Sequence, residues 1–244
     1  MPALQLALGY SETLAHAVMR RGLLRQPEMR AAVLRQLYFT GVQALPYVTV
    51  LAVLFGAVAV TWVLGIIGHD SEFALKQLVW GGIRELAPLV AALIIVLRSS
   101  PAIASEIALM RLRPGISNEI WRDAVEEDEV VLPRVLGVAV SALLLIVIFE
   151  YAAIAAALIA MAIVMDTPVA AQLAQFLGTA EWWQLPLSIG KGLIFGAGTA
   201  AIACYHGLHI EPQVKEIPKA VIGACVGGIT FVIVVDVLAA LLAS

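Results

Sequence analysis

The sequence predicts an all-α, polytopic membrane protein with about five transmembrane helices, an N-terminal interfacial amphipathic helix and a short cytoplasmic helix between the second and third spans. Composition, five long apolar stretches and a one-sided distribution of Lys and Arg carry this prediction. The chain of 244 residues is 61% hydrophobic and 14% charged, with a mean hydropathy of +0.95. Soluble domains carry roughly 45–50% apolar and about 25% charged residues, so lipid is the expected solvent for most of the surface. A net charge of −3 argues against a nucleic-acid partner, because phosphate binding needs a basic surface. Cys204 and Cys225 are too few for a disulfide scaffold. No cleavable signal peptide is expected, since Glu12, Arg20 and Arg21 follow the first short apolar stretch without a small-residue cleavage site.

Residues 1–40 are expected to form interfacial amphipathic helices. Leu4, Leu8, Leu14, Val18, Met29, Val33 and Leu37 fall at roughly helical spacing, with Arg20, Arg21, Arg25, Arg30 and Arg35 between them. A basic amphipathic segment ahead of a span reads as lying in the headgroup layer, and Pro27 divides it into two short helices. A soluble cap is the alternative.

Residues 41–244 are then expected to form the membrane-spanning domain. About 20 apolar residues cross the hydrocarbon core, which places spans at 44–67, 84–110, 135–164, 186–208 and 219–242. The second is interrupted by Arg98 and must run on through Ile103 to Met110 to be long enough. Lys and Arg concentrate before the first span, between the second and third (Arg111, Arg113, Arg122, Arg134) and between the fourth and fifth (Lys215, Lys219). The other connections hold only Lys76, with none across 165–185. The positive-inside rule therefore predicts a cytoplasmic N-terminus and, after five crossings, an external C-terminus. Both cysteines then lie near the reducing side and are expected as free thiols. Gly192 with Gly196, and Gly223 with Gly227, are spaced for close helix approach. The run 165–185, with Pro168, Trp182 and Trp183, is too short and polar to span and is expected to lie in the outer interface.

Charges inside the spans need a reason, because each costs on the order of 2.5–3.5 kcal/mol at mid-bilayer. Arg84, Ala91, Arg98 and Ser105 are seven apart on the second span and form one stripe, expected to face protein or a water-filled cavity. Arg84, Glu85, Glu150, Lys191 and Asp236 fall at comparable depth in the outer half of four helices, at a rise of about 1.5 Å per residue. Three uses fit: an ion-pair network bracing the bundle, a polar pocket receiving a charged headgroup, or a proton relay. His206 and His209 stand at i, i+3 near Glu211, a spacing that suits a metal but offers no evident fourth ligand. No Walker motif, nucleophile elbow or H-E-x-x-H sequence occurs, so the chain carries no ATPase of its own.

The connection 112–133 contains a Pro114-Gly115 turn and a short helix expected from Asn118, with an apolar side (Ile120, Trp121, Ala124, Val125) and an acidic remainder. It is either a partner-docking helix or a solvated loop.

Here the residues resemble a known family, the MlaE (YrbE) permeases, membrane subunits of ABC transporters that move lipids between bacterial envelope membranes with MCE-domain proteins. Arg35-Gln36-Leu37-Tyr38 with Gly41-Val42 precedes the first span as in the family. Arg84-Glu85-Leu86-Ala87-Pro88-Leu89-Val90 is similar to its R-E-[LI]-[GA]-P-V segment, Arg98 stands where it has A-G-R, and Ala104-Ser105-Glu106-Ile107-Ala108-Leu109-Met110 resembles A-A-E-[LI]-G-x-M. Pro133-Arg134 matches the opening of its third span, and Lys191 with Phe195-Gly196 resembles its fourth.

The resemblance implies a five-span permease of the bacterial inner membrane acting as a dimer, homomeric or heteromeric. It implies a separate ABC ATPase that holds ATP and Mg, an MCE-domain protein, and phospholipid or another lipid as cargo, with no cofactor bound by this chain. It makes Arg84, Glu85 and Leu86 candidates for an outer-leaflet lipid pocket, which Arg98, Glu150, Lys191 and Asp236 would line or brace. It makes Glu119, Trp121, Arg122, Asp123 and Glu126 candidates for ATPase coupling, in a segment more acidic than the family pattern. Leu97 and Ser99 replace the glycines that flank the family's arginine, and Pro212 to Pro218 replaces its Gly- and Thr-rich motif. From the residues alone, an ion-coupled secondary transporter using Glu150 and Asp236 is the competing class, although no paired internal repeat accompanies them.

Overall fold

In the computed structural model, residues 9–10, 26–67, 72–112, 127–179, 184–211 and 213–243 are described. They are almost entirely helical: α1 (Pro27–Thr40), α2 (Leu45–Ile67), α3 (Glu72–Arg111), α4 (Glu127–Val164), α5 (Val169–Thr179), α6 (Gln184–Leu208) and α7 (Ile217–Ala243), with short 3-10 turns at Val42–Ala44 and Val214–Glu216. Five of these stretches are long and apolar enough to cross a membrane. The chain is an all-α polytopic membrane protein.

Pro27 stands in the first turn of α1, where its missing N–H costs nothing and its fixed φ suits a helix start. Two helices begin ahead of the spans expected within them. The second span was expected from residue 84, but α3 begins at Glu72. Hydropathy finds only the apolar part of a helix, and the backbone bonds continue past it. Likewise α4 begins at Glu127, ahead of the expected 135. The connection between the two spans is correspondingly shorter than 112–133. Pro88 and Pro101 lie inside α3 and Pro133 inside α4; neighbouring helices in a membrane bundle make such interruptions tolerable. At the end of α4, Asp166 adopts φ 50°, and Thr167 N–H bonds to the Ala162 carbonyl at 3.1 Å. This is the left-handed helix stop that Asp accepts better than most residues, and it turns the chain into α5.

The helices α3, α4 and α6 form the centre, with α2 packed chiefly on α4 and α7 on α3 and α6. Phe149, Phe195, Ile95, Ile107, Leu145 and Ile146 are fully buried between them. Small residues set the crossings. A Cβ at Gly56 of α2 would overlap the Ala153 backbone of α4, and one at Gly196 of α6 would meet the Ala139 Cα of α4 at 2.8 Å. Gly192 likewise faces Ile146 of α4, while Gly223 and Gly227 both face α6. These pairs report tight helix packing, as their spacing suggested. By contrast α2 and α7 leave large apolar side chains exposed along one side, among them Leu54, Val58 and Trp62, and Val226, Val234 and Leu241.

The ends facing the arginine-rich side are tied across the bundle. The Arg111 guanidinium at the end of α3 donates to the Leu208 carbonyl and, at 3.1 Å, to that of Ile210. It thereby satisfies carbonyls left open at the C-terminus of α6, where a cation also suits the helix dipole. Arg111→Ala is expected to remove about 1–2 kcal/mol of stability, read as a lower thermal midpoint of the detergent-solubilised protein. An unchanged midpoint would show that these bonds contribute nothing. Cys204 is buried, Cys225 partly so, and both are free.

Candidate functional site

The stripe on α3 turns inward: Arg84 and Ala91 are buried, and Arg98 and Ser105 are partly buried. Its charged members nevertheless belong to two different places. Near one end, Lys191 of α6 donates to Glu85 Oε2 of α3 at 2.6 Å and lies 3.6 Å from Asp236 Oδ1 of α7. The first is a charge-assisted hydrogen bond; the second is an ion pair too long to be one. One ammonium therefore joins three helices. One helical turn back along α6, Ser188 hydrogen-bonds the Glu150 carboxylate of α4, and the Arg84 charge acts on that same carboxylate. Arg84 and Glu150 are both buried.

Five of the expected residues, Arg84, Glu85, Glu150, Lys191 and Asp236, thus converge on one cluster contributed by α3, α4, α6 and α7. Two cations face three carboxylates. Lys191 is nearly buried, whereas the Glu85 side chain is 67% exposed, so the cluster opens outward on the Glu85 side. Leu86 is partly buried next to it on α3. A pair of this kind gains little from its exposed partner, but its buried members are costly to leave unpaired. The arrangement therefore holds α3, α6 and α7 in register and leaves the Glu85 carboxylate at its open edge.

Arg98 is not part of this cluster. It stands 14 residues beyond Arg84, about 21 Å along the helix. There it donates to Gln43 Oε1 at 2.8 Å and lies over the Phe39 ring at 5.6 Å, joining α3 to the end of α1. Seven-residue spacing gives residues one azimuth on a helix and says nothing of a shared depth. Glu119, Trp121, Arg122, Asp123 and Glu126 lie outside the described residues, as do Trp182 and Trp183.

Two participants escaped the sequence reading. Ser188 is three residues before Lys191 and so on the same face of α6; a hydroxyl at that spacing from an intramembrane lysine was the available signal. The Glu106–Arg134 ion pair, at 3.0 Å, joins α3 to α4. Both residues sit in the quoted motifs, but nothing in either segment showed that they meet.

His206 and His209 are engaged with tyrosines rather than with one another. His206 Nε2 is 3.0 Å from the Tyr10 hydroxyl, and His209 stacks on Tyr205 with ring centroids 4.0 Å apart. Burial, with Tyr205 a smaller second cause, raises the Tyr10 pKa above its ordinary value, so the phenol stays protonated and able to donate. Among the described residues no group of three or more His, Cys, Asp or Glu side chains is placed to hold a metal ion.

The family model for permease MlaE matches residues 33–242. No curated protein shows significant similarity to the chain. The match takes in α2, α3, α4, α6 and α7 nearly whole, the charged cluster, and all but the first residues of α1. The family's members are subunits of a transporter rather than enzymes in themselves. The chain belongs to the MlaE permease family and is a membrane permease of the ABC-type lipid-transporter class.

Proposed function

We propose that this chain moves phospholipid, or a lipid of similar headgroup charge, through the bacterial inner membrane, with its N-terminus in the cytoplasm and its C-terminus outside. The observation that carries this reading is the convergence of Glu85, Lys191 and Asp236 from three helices within a chain of a lipid-permease family. Arg84, Glu85, Leu86, Glu150, Lys191 and Asp236 form the polar edge of the lipid pocket in the outer half. The exposed carboxylate of Glu85 marks the open side of that pocket. Arg98 acts at a distance from the headgroup, by holding α3 against α1.

Two copies of the permease face each other. An MCE-domain protein on the outer side exchanges the lipid. A cytoplasmic ABC ATPase, which holds the ATP and Mg, docks on the segment containing Glu119, Trp121, Arg122, Asp123 and Glu126. Hydrolysis there switches the paired permeases between an open and a collapsed cavity.

Charge reversal in the docking segment tests the arrangement. Glu119→Lys or Asp123→Lys is expected to uncouple ATP hydrolysis from transport, because like charges at a docking surface cost binding and register. In the reconstituted complex, lipid-stimulated ATPase activity is expected to fall by about tenfold or more. Stimulation equal to that of the unaltered complex would sink the assignment of this segment to the ATPase.

A further inference from the structure

Three of the motif segments quoted from the sequence have no role in the outer cluster, and they meet at one place. Arg35 and Gln36 of α1, Glu106 of α3 and Arg134 of α4 line a cavity of about 270 Å³, whose apolar wall includes Phe39 and Ile103. Glu106 is 21 residues beyond Glu85 on α3, about 32 Å along the axis, roughly the thickness of the hydrocarbon core. The cavity therefore sits at the opposite membrane face from the Lys191 cluster, on the arginine-rich side.

Its charges do not balance. Glu106 is spent on Arg134, at 3.0 Å, and Arg134 also donates to the Val130 carbonyl at 2.7 Å. Arg35 is exposed and has no ion-pair partner among the described residues. The lining thus carries one uncompensated positive charge. A phosphodiester carries one negative charge, and a guanidinium offers it a fork of parallel donors. Gln36 adds a neutral polar group at the same wall, its amide already donating to Thr40 Oγ1 at 2.8 Å.

The surroundings favour a lipid over a soluble anion. Leu34, Tyr38 and Val42, at four-residue spacing on and just after α1, are all exposed. That makes an apolar stripe along one side of the segment, which seats α1 in the interface beside the cavity. The apolar wall at Phe39 and Ile103 then offers a surface to the glycerol and upper acyl region. A site for free phosphate has no use for such a wall.

We infer that this cavity binds the phosphodiester headgroup of a phospholipid in the leaflet on the arginine-rich side, through Arg35 with Arg134 and Glu106 behind it. The site is separate from the outer pocket and stands whether or not the Lys191 cluster binds cargo; it shares with that reading only the chain's place in a membrane. It gives the permease a lipid contact at each face, and the second one lies where α1 meets α3 and α4.

The test uses the full chain in phosphatidylglycerol nanodiscs, with a benzophenone photocrosslinker at position 39 or, as a control, at position 34. Labelling by intact phospholipid at position 39 is expected to fall about tenfold in Arg35→Gln, the effect of losing one charge-assisted contact, and to return in Arg35→Lys. Labelling at position 34 should not change. Because Arg35 is exposed, Arg35→Gln leaves the buried packing intact, and the position-34 signal verifies that the chain is inserted. Equal labelling at position 39 with and without Arg35 would mean ordinary surrounding lipid and would overturn the inference. Loss of position-39 labelling on adding millimolar inorganic phosphate would overturn it too, by assigning the cavity to a free anion.

Discussion

Lys191→Glu is expected to abolish lipid transport while Lys191→Arg retains it. The single ammonium of Lys191 stands between Glu85 at 2.6 Å and Asp236 at 3.6 Å. Reversing its sign places three carboxylates where one cation held two, with Glu150 bonded to Ser188 one turn away on the same helix. Removing one partner of a fully buried pair costs about 3–5 kcal/mol, and the partly buried pair of Lys191 with Asp236, at 13% and 25% side-chain exposure, costs less. The Glu85 side chain is well exposed, so its share is discounted for screening, and Asp236 carries most of the penalty. A disturbance of about 1.4 kcal/mol already corresponds to tenfold, and the loss of transport is expected to exceed that. The measurement is lipid transfer by the reconstituted complex, normalised to permease in the membrane.

A companion substitution separates bracing from binding. Replacing a buried ion pair by apolar side chains of similar volume is often neutral for stability. Lys191→Met combined with Asp236→Leu is therefore expected to leave a folded protein whose transport is lost. If that double variant is stable and transports at the original rate, the cluster neither binds cargo nor gates it, and the proposed pocket fails. If Lys191→Glu alone transports normally, the same conclusion follows by a shorter route.

The second large effect is steric. Gly56→Ala is expected to destabilise the bundle strongly, because the added Cβ lands on the Ala153 backbone carbonyl rather than on a side chain that can turn aside. Overpacking by one group typically costs about 1–3 kcal/mol, and a backbone obstacle places this site at the upper end. The result is read as reduced folded protein in the membrane and a lower thermal midpoint in detergent. Gly65→Ala, nine residues further along the same helix with nothing within 4 Å of its added Cβ, is the matched control and is expected to be neutral. Equal behaviour of the two would contradict the close crossing of α2 and α4.

The legibility of the Lys191 cluster in the sequence had a particular limit. Depth along a span follows from counting residues, so Glu85, Glu150, Lys191 and Asp236 could be placed at one level. Which of them touch depends on how each helix is rotated about its own axis. Packing of Gly192 and Gly196 against α4 sets that for α6, and it turns Ser188 toward Glu150 and Lys191 toward Glu85 and Asp236. Arg98 shows the complementary failure. Its azimuth was read correctly from the seven-residue spacing, but its site was not, because its partners Gln43 and Phe39 come from the end of α1 and the turn after it. The Glu106–Arg134 pair was invisible for the same reason, being made between segments whose spacing in sequence carries no information about contact.

The all-helical architecture, the five spans and the permease family were all determined by the sequence alone. Each of these depends on local or summed properties: whether about 20 consecutive residues prefer lipid, and whether charged residues recur in a fixed order within a span. Helix ends were less legible, since α3 and α4 start outside their apolar stretches, and hydropathy does not report backbone hydrogen bonds that continue into water. Only the tertiary structure decided that one lysine joins three helices, that Arg98 belongs to another site, and that Arg35, Glu106 and Arg134 share a cavity. Those facts are products of close packing between residues distant in the chain. A helix fixes the spacing of its own side chains, while the small residues of its neighbours fix which way they face.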